Sequence, residues 1–351
     1  MRVLVTGGAG FLGSHVCEFY AKQGHEVVAV DNLTKFELNR TGFDANVLRR
    51  TVLERLERWN VALLVKDLAT EVLSPWRSGD PRGQFDFIVH CAAQPAMTIA
   101  IEQPAFDWAV NVFGLQNVLN FARQTETPVL NCSTIHVYGT GINQELVEEA
   151  TRFSRYGQSE IGEAHPLLTG HITPLHQSKY AAEVATSTFA DMTGIAAVSF
   201  RLTGFYGPRQ FGGEDHGWVA NFAIRTVMER PITVFGTDKQ VRDILFVDDV
   251  VAAINAWYEN GRESGIYNIG GGVSHIISLG ECLEELGGIA GKAQTIELQP
   301  GREGDLHYFC CDTALARDVF GWEPVVDNRQ GLQRLVRWVE ENRDLFQEAK
   351  R

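Results

Sequence analysis

No uninterrupted apolar run in the 351 residues reaches membrane-spanning length. The opening MRVLVTGGAG gives a short strand and a turn where a secretory signal needs a longer apolar stretch. Basic residues are outnumbered, 31 Lys and Arg against 44 Asp and Glu, for a net charge of −13. That balance argues against a nucleic-acid or anionic-membrane partner, although a local basic cleft can exist on an acidic protein. The six cysteines, Cys17, Cys91, Cys132, Cys282, Cys310 and Cys311, have neither the paired spacing of a metal site nor the density of a disulfide framework. No metal is expected, and reduced thiols in a cytoplasm fit best. Internal repeats and low-complexity tracts are also missing.

What is present is a chain with 44% hydrophobic residues, long enough to bury a sizeable core. RVLVTGGAGFLGSHVCEFYAKQGHEVVAVDNL reads as a β-branched run, a glycine turn, an amphipathic stretch ending at Gly24 and a second apolar run ending at Asp31. Further apolar runs, FDFIVHCAA, PVLNCSTIHVYG and AAVSFRLTGFYG, are separated by helix-like stretches. Alternation of this kind predicts an α/β fold, a Rossmann-type doubly wound and mostly parallel sheet covered on both faces. After about residue 205 the pattern breaks into Gly- and Pro-punctuated pieces. We expect a dinucleotide-binding domain over 1–205, with an insert at about 140–174. A smaller C-terminal substrate-binding lobe over 206–351 should send some segments back to the sheet. RRTVLERLERWN reads as a solvated helix face.

The first chemical motif is Gly7-x-x-Gly10-x-x-Gly13. Glycines there permit a tight turn, close approach of backbone to a pyrophosphate, and helix–sheet packing, while the helix start offers amides to the anion. Asp31, ending the next strand, can accept hydrogen bonds from an adenosine ribose and would repel a 2′-phosphate, so NAD is expected over NADP. Asp67 and Leu68, after the run VALLV, could reach the adenine.

TGGAGFLGSH, VHCAAQ, NVFGLQNVL, CSTIHVYG, QSKYAAE, RLTGFYGPRQ, VRDILFVDDVV, YNIGGG and GREGDLHYFCCDTALARDVFGW occur in the order found in extended short-chain dehydrogenase/reductases of the nucleotide-sugar epimerase and dehydratase type. The chain resembles that family over nearly its whole length. The resemblance implies bound NAD, a nucleotide-diphosphate sugar as substrate and a homodimer formed through the helices NVFGLQNVLNFARQ and SKYAAEVATSTFADMTG. It places Phe11, Leu12, Asn32, Cys91, Ala92 and Ala93 at the cofactor, together with Gln94, Asn111, Ser133 and Lys179. By the same likeness Thr134 is the substrate-facing hydroxyl, Arg242 and Arg302 clamp a diphosphate, and Gln94, Arg209 and Gln210 border the substrate. The run Arg209-Gln210-Phe211 and the later His216-Gly217-Trp218-Val219 resemble the CDP-tyvelose (CDP-paratose) 2-epimerases. That implies oxidation of a sugar at C2, rotation of the keto-sugar and reduction from the other face.

One position departs from the pattern. Lys179 should follow a tyrosine four residues earlier, and Leu175 stands there. Another group must then move the proton. His136, two residues after Thr134 and hence on the same side of a continuing strand, is the first candidate. His176, three residues before Lys179, is the second. His171 and Tyr156 lie in the insert and cannot be placed from sequence, and Tyr180 is expected to point away. A nucleotide-sugar oxidoreductase or dehydratase, and a catalytically silent NAD-binding protein, stay open as alternatives.

Overall fold

The computed structural model describes residues 1–34, 40–74, 84–157 and 159–347. Its centre is a seven-stranded sheet of β1 (Arg2–Thr6), β2 (Glu26–Asp31), β3 (Ala62–Val65), β4 (Phe87–His90), β5 (Val129–Thr134), β6 (Ala197–Leu202) and β7 (Gly265–Ile269). Every pairing in it is parallel, and the spatial order is β7-β6-β5-β4-β1-β2-β3. Strand order reverses between β1 and β4, and α/β sheets bind ligands at the carboxyl ends beside such a point.

The period-two alternation of the strands divides the core between the two faces. Val3, Val5, Val27, Ala29, Phe87 and Val89 face α1 (Phe11–Lys22), α2 (Ala45–Arg58) and the helix Val247–Glu259. Leu4, Val28, Val30 and Ile88 face α3 (Gly114–Thr125) and α4 (Pro174–Thr193). The charged stretch 49–60 falls mostly in α2, capped by Asp44 through the Asn46 amide at 2.9 Å, with only Leu48 and Leu56 of that helix buried. It is a solvated face, as its composition suggests.

After β6 the chain builds a second lobe from short strand pairs. Ile232–Phe235 runs parallel to Ile296–Gln299, and Val241–Asp243 antiparallel to Ile276–Ser278. The helices Trp218–Val227, Leu279–Ala290 and Asn328–Glu341 pack together beside them. Between these pieces Val247–Glu259 lies on the sheet, its Tyr258 stacked on Phe87 at 4.7 Å, and β7 adds an edge strand. Residues 140–174 form an antiparallel pair, Leu146–Glu148 with Phe153–Arg155, anchored from Phe153 N to the Lys239 carbonyl (2.9 Å) and by a bridge of Ile161 with Cys311.

A buried ion pair joins these layers. Arg201 of β6 donates to Glu183 of α4 from Nε at 3.1 Å and Nη2 at 2.8 Å, and their side chains are 2% and 0% exposed. Arg201 Nη1 also donates to the Tyr138 hydroxyl, which donates to Asn268 of β7 at 2.8 Å. Removing one partner would strand a charge in the interior. Arg201→Met is therefore expected to lower unfolding free energy by about 3–5 kcal/mol, and Arg201→Met with Glu183→Leu to recover much of it, read from urea midpoints.

Candidate active site

The loop after β1 is shaped by backbone meeting backbone. Gly7 has φ +64°, and a Cβ on it would stand 2.6 Å from Ala92 N, just past β4. A Cβ on Gly13 would stand 2.1 Å from the Gly7 carbonyl. Gly10 precedes α1 without a side chain to cap it, so the first amides of the helix face a cleft of ≈ 640 Å³ bordered by Gly10, Phe11 and Leu12. Ala93, Cys91 and Ser133 continue the wall. Asp31 braces the loop, its carboxylate accepting from the Ala9 amide at 2.9 Å and the Leu33 amide at 2.7 Å. Asn32 caps the Thr34 amide and Asp67 that of Ala69, while the Leu68 carbonyl accepts from Asn117. Asp31 pairs in register with Val65, so Asp31, Asn32, Asp67 and Leu68 cluster at the ends of β2 and β3, beyond the lining of that cleft. A cradle that excludes side chains, a helix start and a carboxylate at the next strand end suit a dinucleotide.

Further along the cleft stand Thr134, His136, Leu175 and Lys179. Lys179 is buried and donates to the Cys132 carbonyl at 3.2 Å. Burial lowers its pKa, against the raising influence of Cys132, Asp107, Cys91 and Glu183. Leu175, 2% exposed, gives the wall one turn before it an apolar surface. The two-residue spacing from Thr134 to His136 does not act as in a strand, because β5 ends at Thr134. Ile135–Tyr138 is a 3₁₀ turn capped by Thr134 Oγ1, which accepts from the His136 amide at 3.3 Å. The turn still lays the His136 ring on the cleft. Its Nδ1 is itself buried, with no hydrogen-bond partner among the described residues. Burial, then the neighbouring His176 and Arg242, push its pKa down to about 3.

Several expected contacts are redirected. His176 is fully buried and outside the cleft lining. Its Nδ1 accepts from the Thr173 amide at 3.1 Å, which leaves the proton on Nε2, and its ring meets His136 edge-on at 5.7 Å. It caps α4 and backs His136. Gln94 also turns inward: Nε2 donates to the Ala96 carbonyl and Asp107, and Oε1 accepts from the Ala96 amide, leaving the side chain saturated and 4% exposed. It is not placed to touch a ligand. Asn111, expected at the cofactor, lies outside the cleft lining and bonds Gln94, Asp107 and Ser178, supporting the loop after β4. Ser133 directs its hydroxyl to Glu183 at 2.6 Å. Tyr156 is 81% exposed, so it does not cover the site, and exposed His171 faces Glu303 at 3.7 Å. Tyr180 packs by Ile135 and Val137.

The arginines reach the cleft from the second lobe. Arg242 lines it while donating to its neighbour's carbonyl at 2.8 Å. Arg302 lies over the Phe235 ring at 3.4 Å and donates to the Glu214 carbonyl at 2.6 Å. Arg209, at φ +72°, is held by Glu18 at 3.3 Å and His15. Gln210 lines the cleft and donates to the Phe205 carbonyl at 3.3 Å. Sequence reasoning missed Trp218 and Phe235 as wall residues and Asp305 beside Arg242. The first and last fall inside quoted motifs, and Phe235 carries no local signal.

Residues 3–270 match the sequence pattern of the NAD dependent epimerase/dehydratase family. Over 347 residues the chain is 29% identical to the CDP-paratose 2-epimerase of Salmonella typhi, covering 96% of this chain and 99% of that one. The UDP-glucose 4-epimerase of Thermus thermophilus, solved with NAD, superposes with a TM-score of 0.74 at 29% identity over the full length of both chains. That of Thermotoga maritima, solved with UDP-glucose, gives 0.78 at 27%, covering 97% of this chain and 99% of its own.

The two histidines carry a sign for pH. With His136 near 3 and His176 near 4, lowered first by burial, both rings are neutral in the fold, while the unfolded chain protonates near ~6.5. Below about pH 6.5 the unfolded state binds protons the fold does not, so their stabilising share is present above that pH and is lost progressively toward pH 4 and 3. His136→Gln should shrink the fall in urea midpoint between about pH 7.5 and 5.

Proposed function

The chain belongs to the NAD dependent epimerase/dehydratase family, and we propose that it epimerises a nucleotide-diphosphate sugar, at C2, through a transient keto-sugar. The observation that carries the reading is the neutral His136 imidazole in the cleft lining with Thr134 and Lys179, where Leu175 offers no acid/base group. The name of the Salmonella relative supports C2 over other carbons.

NAD, when bound, supplies reversible oxidation of a sugar carbinol to a ketone. Arg242 and Arg302 hold the diphosphate, leaving the sugar free to turn. Thr134 and Lys179 donate to oxygens at the reacting edge, and Lys179 holds the cofactor's ribose. The His136 imidazole takes the hydroxyl proton and returns it to the opposite-face alkoxide. A ring near 3 is a weak base; diphosphate charge beside Arg242 raises it once the substrate is seated. Leu175, in the place of the family's tyrosine, keeps that corner dry. The same substitution favours a second reading, net oxidation or dehydration of a nucleotide sugar.

Proton NMR of CDP-paratose and CDP-tyvelose, extended to UDP- and GDP-hexoses, is the test. We expect a changed H1–H2 coupling at constant mass with no net NADH, and a kcat at least about 10²-fold lower for His136→Ala. Net NADH or loss of water would select the second reading; binding of NAD and sugar without turnover would sink both.

We also propose a homodimer in the cytoplasm, where six free thiols stay reduced. While α3 and α4 bury one side on the sheet, Val184 and Met192 are exposed at 47% and 81% along α4, and Trp108 and Phe113 at 38% and 56% just before α3. A second copy would cover that apolar surface. Light scattering should show a dimer, and Phe113→Glu a monomer that still binds NAD.

A further inference from the structure

Asp107, in the short helix Pro104–Trp108 that leads into α3, is fully buried, and no step above uses it. Its Oδ1 accepts from Gln94 Nε2 at 2.8 Å and Asn111 Nδ2 at 3.0 Å. Its Oδ2 is buried and meets no hydrogen-bond geometry among the described residues, with the Ser178 hydroxyl near enough to favour its charged form. Gln94 in turn grips both the amide and the carbonyl of Ala96, and Asn111 grips the amide and carbonyl of Gln94 itself. One carboxylate thus ties down the segment whose Ala93, Pro95 and Met97 form a wall of the cleft. Asn111 Nδ2 continues the network to the hydroxyl of Ser178, the neighbour of Lys179.

The charges around Lys179 point to the same residue. Facing it are the His90 ring from β4, Cys91 just beyond, Cys132 of β5, Glu183 on its own helix and Asp107. Burial first, then Lys179 itself, keep His90 neutral, with a pKa near 3. Glu183 is taken by both arms of Arg201 and by the Ser133 hydroxyl. Asp107 is the carboxylate of this group that no other cation engages among the described residues. Burial raises its own pKa, against the hydrogen bonds it accepts and the charge of Lys179.

We infer that Asp107 is a positioning residue of this site, fixing the wall at residues 92–97 and supplying the buried counter-charge of Lys179. The role is independent of which carbon is oxidised, and its test does not require turnover. Lysine labelled with ¹³C at Cε, assigned with Lys179→Arg, reads the titration of Lys179 directly in the full chain with NAD bound. Asp107→Asn keeps an oxygen for Gln94 and Asn111 but removes the charge; we expect the Lys179 midpoint to fall by about one pH unit. An unmoved midpoint in a folded, NAD-binding Asp107→Asn overturns the counter-charge. Should that variant not fold, Lys179→Met gives the reciprocal reading: the Asp107 ¹³Cγ midpoint rises if the two are coupled, and a stationary midpoint overturns the pairing. For the wall, Asp107→Ala should weaken NAD binding roughly tenfold while Asp107→Asn stays within about threefold. Wild-type affinity in Asp107→Ala overturns that half.

Discussion

The interior ion pair of Glu183 and Arg201 is the constraint on which the site's arrangement depends. A carboxylate with no exposure must be matched, and the match spans β6 and α4 while reaching β5 through Ser133 and β7 through Tyr138 and Asn268. Lys179 lies one turn before Glu183 on α4, so the pairing also sets the height of that lysine over the sheet. By occupying Glu183, Arg201 leaves Lys179 dependent on other partners.

Leu175 is an apolar wall residue within that frame. It lines the cleft together with Thr134 and Lys179. The imidazole opposite it is backed by His176, whose tautomer is fixed by the Thr173 amide.

Much of this was legible in the residue pattern. Alternating strands and helices predicted the doubly wound sheet because buried parallel strands and amphipathic helices leave distinct periodicities, and the glycine spacing predicted the cradle because a Cβ at Gly7 would stand 2.6 Å from the neighbouring backbone. Side-chain direction was less legible. His136 was expected on a continuing strand, yet the strand stops at Thr134 and a turn delivers the ring. Gln94 follows Ala93, which borders the cleft, but Asp107, 13 residues away in sequence, draws it inward. Such long-range hydrogen bonds have no local signature, and a buried aspartate in a helix looks like a solvated one until its surroundings are known.

The tether between Ile161 and Cys311 has a consequence for biosynthesis. Its two ends are separated by 150 residues of translation, so at typical elongation rates the segment around Ile161 waits roughly eight to thirty seconds for its partner to leave the ribosome. β7, needed to close the sheet edge beside β6, emerges earlier but still after most of the second lobe's first helix and strands. The nascent chain therefore carries an open β6 edge until β7 has emerged, and the segment around Ile161 goes without its Cys311 pairing for longer still.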